Sequence, residues 1–216
     1  NFVQRGEPAV FDKCVRARAA VDAGASLVAE LPVTAVLQSA EGFAREGVRI
    51  LSLLGCEYLS FGCESDGEAL VRAAEASLSP EFEQALRDGL GLGLSYAAAR
   101  QRALAALGAD GAKPNDILAF EYCCAIRAQR SGLRPLPVHR PGDYHDETPD
   151  AENPSATAVR KRIVADGDWR RYVPTSCTYE AAAPHTLLWG ERAMLARLRG
   201  LEQADWRMAA HGSEGL

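Results

Sequence analysis

The sequence contains no apolar run of the roughly 18 residues that a helix needs to cross a bilayer. Its first residues also lack the basic start and apolar stretch of a secretory signal. Among the six cysteines there is no C-x-x-C pair, and no histidine follows at zinc-finger spacing. We therefore expect free thiols, no structural zinc, no membrane association and a cytoplasmic protein.

An excess of positive charge is also missing, since 24 Lys and Arg face 29 Asp and Glu, a net charge of −5. A protein covered with nucleic-acid contacts would be basic. The charge is unevenly distributed, however. Residues 1–154 carry 15 basic and 22 acidic side chains (−7), whereas residues 155–216 carry 9 and 7 (+2). A local basic face in the second segment is compatible with RNA binding.

The 216 residues, 47% hydrophobic and 25% charged, have the composition of a soluble globular protein. Short apolar strands alternate with amphipathic helices, which predicts an α/β fold with a parallel sheet and helices on both faces. We expect an incomplete nucleotide-binding α/β domain over residues 1–165 and the start of a mainly helical region over residues 166–216.

Strands are predicted over residues 26–31, 57–61 and 136–140. Helices are predicted from apolar spacing and capping residues over 12–24, 39–54, 67–77, 80–90, 95–107, 115–130, 155–165 and 191–201, with a proline-rich acidic loop at 141–154. The first predicted element is a helix, whereas a doubly wound nucleotide fold begins with a strand and a phosphate loop. We therefore expect the sheet to be incomplete at the N-terminus, with one or two strands encoded before Asn1.

Three polar segments are candidates for ligand contacts. QRGEPAVFDK contributes Arg5 and Lys13, although, taken alone, the segment is better explained as a solvated loop. In SFGCES, Gly62 is expected just after a strand, where it either allows a ligand to approach the backbone or only forms the turn. In KPNDIL, Asn115 is expected at a helix start, as an N-cap or as an amide that recognises an adenine edge or a ribose.

The segment SATAVRKR is the most specific of the candidates. Ser155 and Thr157 place hydroxyls beside the N–H groups of a helix N-terminus, and Arg160 lies one turn further on the face of Thr157. These groups suit a triphosphate, while a simple capping box is the alternative. A metal site at His145 with Asp143 and Asp146 is disfavoured because no ligand spacing repeats, and no metal is predicted.

Taken in order, nine short strings resemble the tRNA(Met) cytidine acetate ligase family. They are NFVQRGEPAVFDK, AGASLVAELPV, QSAEGFAREGV, LGCEYLSFGCES, GLSYAAARQRAL, KPNDILAFEY, HRPGDYHD, SATAVRKR and SEGL. The resemblance implies a Rossmann-like core of the nucleotidylyltransferase superfamily. It also implies that ATP activates acetate to acetyl-adenylate, and that the acetyl group passes to N4 of the wobble cytidine of elongator tRNA(Met).

The resemblance implies roles for individual residues. ATP binding is implied for Gly62, Asn115 and Arg140, and the Ser/Thr–Arg motif near the ATP phosphates is matched by Ser155, Thr157 and Arg160. Arg5 and Lys13 fall where the mouth of the active site is expected. The family's His-x-x-His-type motif is absent from these 216 residues, so the catalytic residues are not assigned and we expect this stretch alone to be inactive. The sequence does not indicate whether Mg²⁺ takes part.

Two other functions remain open from the sequence. A nucleotide adenylyltransferase of coenzyme biosynthesis shares the fold and the Ser/Thr–Arg motif. A degenerate nucleotide- or RNA-binding module without catalysis would also fit a chain that lacks the histidine motif. The strings QRGEPA and SYAAAR favour the acetate ligases over the adenylyltransferase. The missing motif favours the non-catalytic module only if the gene itself lacks that segment.

Overall fold

A computed structural model of the chain describes residues 3, 9–106, 113–139, 155–165, 167–174, 187–202 and 205. The chain divides into two compact units, one formed by Asn1–Ala29 with Tyr144–Leu216 and the other by Glu30–Asp143. The domain boundary expected at residue 165 stays a prediction. Within the described residues, no helix is both long and apolar enough to span a bilayer.

In the described residues, three helices precede the first strand and four helices separate it from the second. In order, the elements are α1 (Lys13–Asp22), α2 (Val33–Val36), α3 (Ala40–Leu53), β1 (Tyr58–Cys63), α4 (Gly67–Ala76), α5 (Pro80–Gly91), α6 (Tyr96–Ala106), α7 (Pro114–Ala128), β2 (Arg134–His139), α8 (Ala156–Val164), a 3-10 turn (Arg170–Tyr172) and α9 (Leu187–Arg199). The α/β class and the parallel sheet predicted from the sequence are confirmed. The short helix α2 and the 3-10 turn were not predicted.

Helix boundaries were predicted well where a side chain caps the helix. The carboxylate of Asp12 accepts from the N–H of Cys14 at the start of α1, and the Ser39 hydroxyl accepts from the N–H of Gly42 at the start of α3. Past the ends of these helices, Gly24 and Gly55 adopt positive φ angles of 108° and 71°. Glycine tolerates this backbone conformation without steric cost, so both helices end where the sequence indicates.

The second unit is built on two parallel strands. β1 pairs with β2 in a register that sets Tyr58 opposite Arg134 and Gly62 opposite Val138. Side chains on one face of β1 are buried against helices α3, α4 and α7, and the resulting core contains Leu59, Phe61, Cys63, Val48, Leu70, Ala119 and Phe120. On β2, Leu136 and Val138 remain about half exposed.

The strand predicted over residues 26–31 is wrong. The segment has no regular structure, and Leu27 and Val28 are 65% and 41% exposed. A strand needs a neighbour for its backbone N–H and C=O groups. In the part of the chain that the structure describes, β1 and β2 pair only with each other. The other two strands are shifted, because β1 extends to Cys63 and β2 begins at Arg134; residues 140–154, including the predicted loop, lie outside the described residues.

Helices α5 and α6 pack closely at a glycine, which makes a stability test possible. A Cβ at Gly89 would lie 2.8 Å from Ala99 Cβ and 3.1 Å from Ala99 Cα, whereas a Cβ at Gly91 would meet nothing within 4 Å. We expect Gly89→Ala to lower the free energy of unfolding by about 1–3 kcal/mol, because the helices must separate. Gly91→Ala, on the same helix, should be neutral or stabilise by up to about 1 kcal/mol. Urea melts of the two variants measure the difference, and equal midpoints would contradict the close packing.

Candidate functional site

The carboxylate of Asp116 organises the loop that follows β1. Asp116 lies in the first turn of α7 and is 0% exposed. Its Oδ1 accepts from the backbone N–H groups of Glu64 at 2.8 Å and Ser65 at 3.1 Å, and its Oδ2 accepts from the Ser65 hydroxyl at 2.6 Å. A buried carboxylate with three donors is well satisfied, so it fixes the position of this loop relative to α7.

A second carboxylate, that of Glu64, points back to the start of α7. Its Oε1 accepts from the side-chain Nδ2 of Asn115 at 2.6 Å and from the backbone N–H of Asn115 at 3.4 Å. The loop amides thus bind the Asp116 carboxylate on the helix, and the amides of Asn115 on the helix bind the Glu64 carboxylate on the loop. We call this reciprocal arrangement of Glu64, Ser65, Asn115 and Asp116 the loop–helix clamp.

Two expectations about this region are corrected by the structure. Gly62 is not beyond the strand but within it, opposite Val138 in the parallel pairing. Asn115 is not the N-cap of its helix, because Lys113 occupies that position and Pro114 follows as the first helical residue. Proline suits that position since its missing N–H needs no intrahelical partner. Asn115 is therefore half-buried in the first turn, and it is Glu64 from another element that accepts from its backbone N–H.

The thiol nearest to the clamp is not a nucleophile. Cys63 is buried at the end of β1, and its Sγ donates to the Val138 carbonyl at 3.6 Å. Burial raises the pKa of Cys63, and the negative charges of Asp116 and Asp66 raise it further. A thiol that stays protonated is a poor nucleophile, so Cys63 fills space under the loop.

Helix α7 is also held from the side by an ion pair with α6. The Arg100 guanidinium bonds to the Glu121 carboxylate and lies 4.7 Å from the centroid of the Phe120 ring. The Arg100 and Glu121 side chains are only 20% and 8% exposed. Burial raises the pKa of Glu121 above its ordinary value, and the charge and hydrogen bond of Arg100 reduce that rise. The pair therefore offsets part of the cost of burying this carboxylate, and it anchors the helix that carries Asn115 and Asp116.

The predicted phosphate motif forms the N-terminal turn of α8 in the other unit. The Ser155 hydroxyl accepts from the N–H of Ala158 at 3.0 Å, which confirms the predicted cap. Arg160 is exposed, and its Nη2 donates to the Thr157 hydroxyl at 3.1 Å, so the two side chains share one face as expected. Among the described residues, no carboxylate lies within ion-pair distance of Arg160.

A small apolar cluster supports this helix. Ile163 of α8 packs with Phe11 and Trp169, and the Phe11 and Trp169 rings lie 5.8 Å apart at 50°. Phe11 directly precedes α1, whose first residue is the exposed Lys13. Lys13 and the α8 turn thus belong to one unit, held by buried apolar contacts.

The structure divides the predicted site residues between the two units. Gly62 and Asn115 lie in the unit with the loop–helix clamp, whereas Lys13, Ser155, Thr157 and Arg160 lie in the other. Arg5 and Arg140 lie outside the described residues, as do His145 and its neighbouring aspartates. Among the residues that the structure describes, no three or more His, Cys, Asp or Glu side chains are grouped so that they could hold a metal ion. Sequence reasoning missed Glu64 and Asp116, although both are polar residues in segments already singled out.

Comparisons with known proteins agree with this arrangement of elements. The family model described as HIGH Nucleotidyl Transferase matches residues 1–205. A tRNA(Met) cytidine acetate ligase of Anoxybacillus flavithermus is 40% identical over the whole chain, which covers 58% of that relative. The enzyme of the same name from Oceanobacillus iheyensis is 35% identical over 83% of the chain and 48% of its own length.

Solved structures of a related protein also match the chain. Thermotoga maritima TmcAL in its apo form superposes with a TM-score of 0.79 at 30% identity, over 100% of this chain and 56% of that one. A second form of that protein, bound with alpha-thio ATP, gives a TM-score of 0.72 at 32% identity, over 90% and 47%.

The fold and the family match place the chain in the class of HIGH nucleotidyl transferases. The chain belongs to the HIGH nucleotidyl transferase family, within which its relatives are the tRNA(Met) cytidine acetate ligases, and the resemblance seen in the sequence is confirmed. The chain spans about half the length of the curated relatives it matches.

The Arg100–Glu121 pair allows a pH-dependent test of how α7 is anchored. Arg100→Met should lower the free energy of unfolding by about 2–4 kcal/mol near pH 7, because it leaves Glu121 buried without its cation. A carboxyl whose folded pKa is raised favours folding below its unfolded pKa and loses that contribution as the pH rises through the folded pKa. The deficit should therefore shrink from pH 7 towards roughly pH 4.

The matched control is the double variant Arg100→Met with Glu121→Gln, which removes both charges. It should recover much of the stability and lose the pH dependence. Denaturant melts at the two pH values measure both variants. A deficit of Arg100→Met that does not change with pH would contradict a buried, uncompensated Glu121.

Proposed function

We propose that the chain is the nucleotide-binding part of a tRNA(Met) cytidine acetate ligase. In the first step a carboxylate oxygen of acetate attacks the α-phosphorus of ATP, and the bond to pyrophosphate breaks to give acetyl-adenylate. In the second step the N4 amine of the wobble cytidine attacks the acetyl carbonyl, AMP leaves and the amine loses a proton. Acetate, ATP and elongator tRNA(Met) are the substrates in this proposal.

The observation that carries the proposal is the turn at the start of α8. Arg160 is an exposed guanidinium held at 3.1 Å by the Thr157 hydroxyl, beside the N-terminal N–H groups of a nine-residue helix. Guanidinium and amide donors stabilise the negative charge that builds up on a leaving pyrophosphate. Adenylation requires little else from the protein than such charge stabilisation and correct positioning.

Relatives support the same assignment. Curated relatives of the chain are named as tRNA(Met) cytidine acetate ligases, and Thermotoga maritima TmcAL has been solved with alpha-thio ATP. By residue matching to the family, we propose that Gly62, Asn115 and Arg140 also contact ATP, and that Arg5 and Lys13 lie at the mouth of the site. We propose no catalytic role for residues 1–216 alone, because they contain no His-x-x-His motif.

We further propose that the tRNA meets a basic surface next to the α8 turn. The basic–aromatic cluster consists of Arg162, Arg170 and Arg171 with the rings of Trp169 and Tyr172. Arg162 and Arg171 lie 5.5 Å and 4.7 Å from the Tyr172 ring centroid, and Arg170 lies 4.8 Å from that of Trp169. A ring beneath a guanidinium restrains it. In Arg171, Nη2 also donates to the Tyr172 hydroxyl and Nε lies 3.8 Å from Asp168 Oδ2. A guanidinium has five N–H groups, so Arg171 retains donors for phosphate oxygens. Such clustered arginines fit an RNA backbone.

A cytoplasmic location follows as part of the proposal. The described cysteines are all unbridged: Cys14, Cys56, Cys63, Cys123 and Cys124. Free thiols are typical of a reducing compartment, which is also where tRNA substrates are found.

Arg160 provides the main test of the adenylation step. In the natural, full-length protein, Arg160→Ala should reduce acetate-dependent ATP–pyrophosphate exchange by about ten- to a hundred-fold. This corresponds to the loss of a charge-assisted contact worth roughly 1.5–3 kcal/mol. Arg160→Lys should recover only part of the rate, since an ammonium cannot form the two-pronged contact of a guanidinium.

The neighbouring cation supplies the control. Lys161→Ala removes the same charge from an exposed position of the same helix and should spare exchange. Binding of tRNA should survive Arg160→Ala largely intact. If instead Arg160→Ala leaves exchange untouched and abolishes tRNA binding, the α8 turn recognises RNA and the phosphate assignment is wrong.

The salt dependence of tRNA binding tests the basic–aromatic cluster. Arg171→Ala should weaken binding and lower the slope of log K against log [salt] by about 0.7–0.9, as expected for one lost phosphate contact. Exchange in the absence of tRNA should not change. Arg87→Ala, an exposed arginine on α5 in the other unit, gives the same change in net charge and serves as control. Identical slopes for the two variants would place the RNA elsewhere.

A further inference from the structure

The orientation of the Asn115 amide is set by the clamp. The two ends of an Asn side chain have nearly the same shape, so their surroundings decide which end points where. Here Nδ2 lies 2.6 Å from Glu64 Oε1. A carboxylate can only accept, so rotating the amide would set Oδ1 against Oε1, two acceptors without a hydrogen between them. Glu64 therefore holds the NH₂ end of Asn115 towards its own carboxylate.

The carbonyl end of the same amide is left for a ligand. Within the described part of the chain, no donor bonds to Asn115 Oδ1, and the residue is only half-buried. The helix cannot use this oxygen as a cap, because Lys113 is the N-cap and Asn115 lies one residue inside the first turn. Asn115 thus presents an oxygen that accepts and cannot donate.

Glu64 is itself held in place by Asp116. The N–H of Glu64 donates to Asp116 Oδ1 at 2.8 Å, and the N–H and hydroxyl of Ser65 add two further bonds to the same carboxylate. Because Asp116 is fully buried and satisfied, the Glu64 backbone does not depend on a ligand for its position. The acceptor at Asn115 is therefore arranged before any nucleotide binds, which reduces the cost of binding.

We propose that Glu64 is a positioning residue that turns the Asn115 amide into an acceptor for a donor group of the nucleotide. This rests on the proposed function, since it assumes that Asn115 contacts ATP. A nucleotide offers such donors at the exocyclic amine of adenine and at the ribose hydroxyls. An acceptor fixed in this way rejects analogues that lack the donor, because its oxygen would be desolvated without a partner.

Analogues of ATP distinguish the two sources of the donor. GTP replaces the amine at C6 by a carbonyl acceptor, and 2′-deoxy-ATP and 3′-deoxy-ATP each lack one ribose hydroxyl. In the full-length protein we expect ATP to bind about ten- to a hundred-fold more tightly than the analogue that lacks the recognised donor. Equilibrium titration gives the dissociation constants, and acetate-dependent pyrophosphate exchange gives KM and kcat.

Glu64→Gln tests the positioning directly. A Gln amide can accept from or donate to Asn115, so Asn115 is no longer restricted to one orientation. The preference for ATP over the discriminated analogue should fall about tenfold, through KM and not kcat, because the contact is remote from the reacting phosphorus. Glu64→Asp, which retains a carboxylate, should keep part of the preference. Glu68→Gln on α4 removes an exposed charge nearby and should behave as wild type.

A double-mutant cycle separates positioning from a general loss of structure. Asn115→Ala should abolish the preference, and Glu64→Gln added to it should change neither KM nor binding further. The proposal is overturned if Glu64→Gln leaves the preference intact, if it acts equally in the Asn115→Ala background, or if the wild type binds all four nucleotides equally. Wild-type protein that binds ATP selectively but catalyses no exchange would disprove the proposed function and leave this inference standing.

Discussion

The hydrogen bonds that the buried carboxylate of Asp116 accepts from the β1–α4 loop are the constraint on which this site depends. The loop leaves a two-stranded sheet whose pairing fixes β1 only as far as Cys63. Beyond Cys63 the chain is held by Asp116, which bonds to Glu64 and Ser65. These residues precede Asp116 in the sequence by 52 and 51 positions. An unpaired buried carboxylate would be strongly unfavourable, so loop and helix stabilise each other only when both are in place.

Packing around α7 makes this arrangement rigid. The helix buries Phe120 and Cys123 against the core of its unit, and it is tied to α6 through the Arg100–Glu121 pair. Burial raises the pKa of Cys123 to about 12 and that of Cys124 to about 11, so both thiols behave as uncharged core groups. The first turn of α7 is therefore polar, whereas the following turns pack into the apolar core. This combination lets two carboxylates and an amide keep one geometry without a ligand.

The sequence predicted local features better than those that depend on distant partners. Caps such as Asp12, Ser39 and Ser155 specify helix starts within a few residues, because donor and acceptor are neighbours in the chain. The segment 26–31 has the apolar composition of a strand, yet composition cannot supply a hydrogen-bonded partner. Asn115 was expected to cap its own helix, since nothing local indicates that Glu64, from a different element, would bond to it. The proposed reaction came from the resemblance to a family. The roles of Glu64 and Asp116 in holding the loop became visible only in the structure.

The loop–helix clamp and the arginines of the α8 region differ in how far their polar groups are exposed to water. In the loop–helix clamp the Asp116 carboxylate is fully buried, whereas Glu64, Ser65 and Asn115 are half-buried. The hydrogen bonds to Asp116 are therefore less affected by salt than those of exposed groups. Arg160, Arg170 and Arg171 are exposed, so they lose little hydration when they meet an anion, and salt screens their charge. A half-buried acceptor that is already oriented, such as the Asn115 carbonyl oxygen, suits recognition of a neutral donor, because geometry decides the strength of that contact. Exposed guanidinium groups suit phosphates, where charge decides. The proposed roles of Asn115 and of Arg160 are thus consistent with the burial of each side chain.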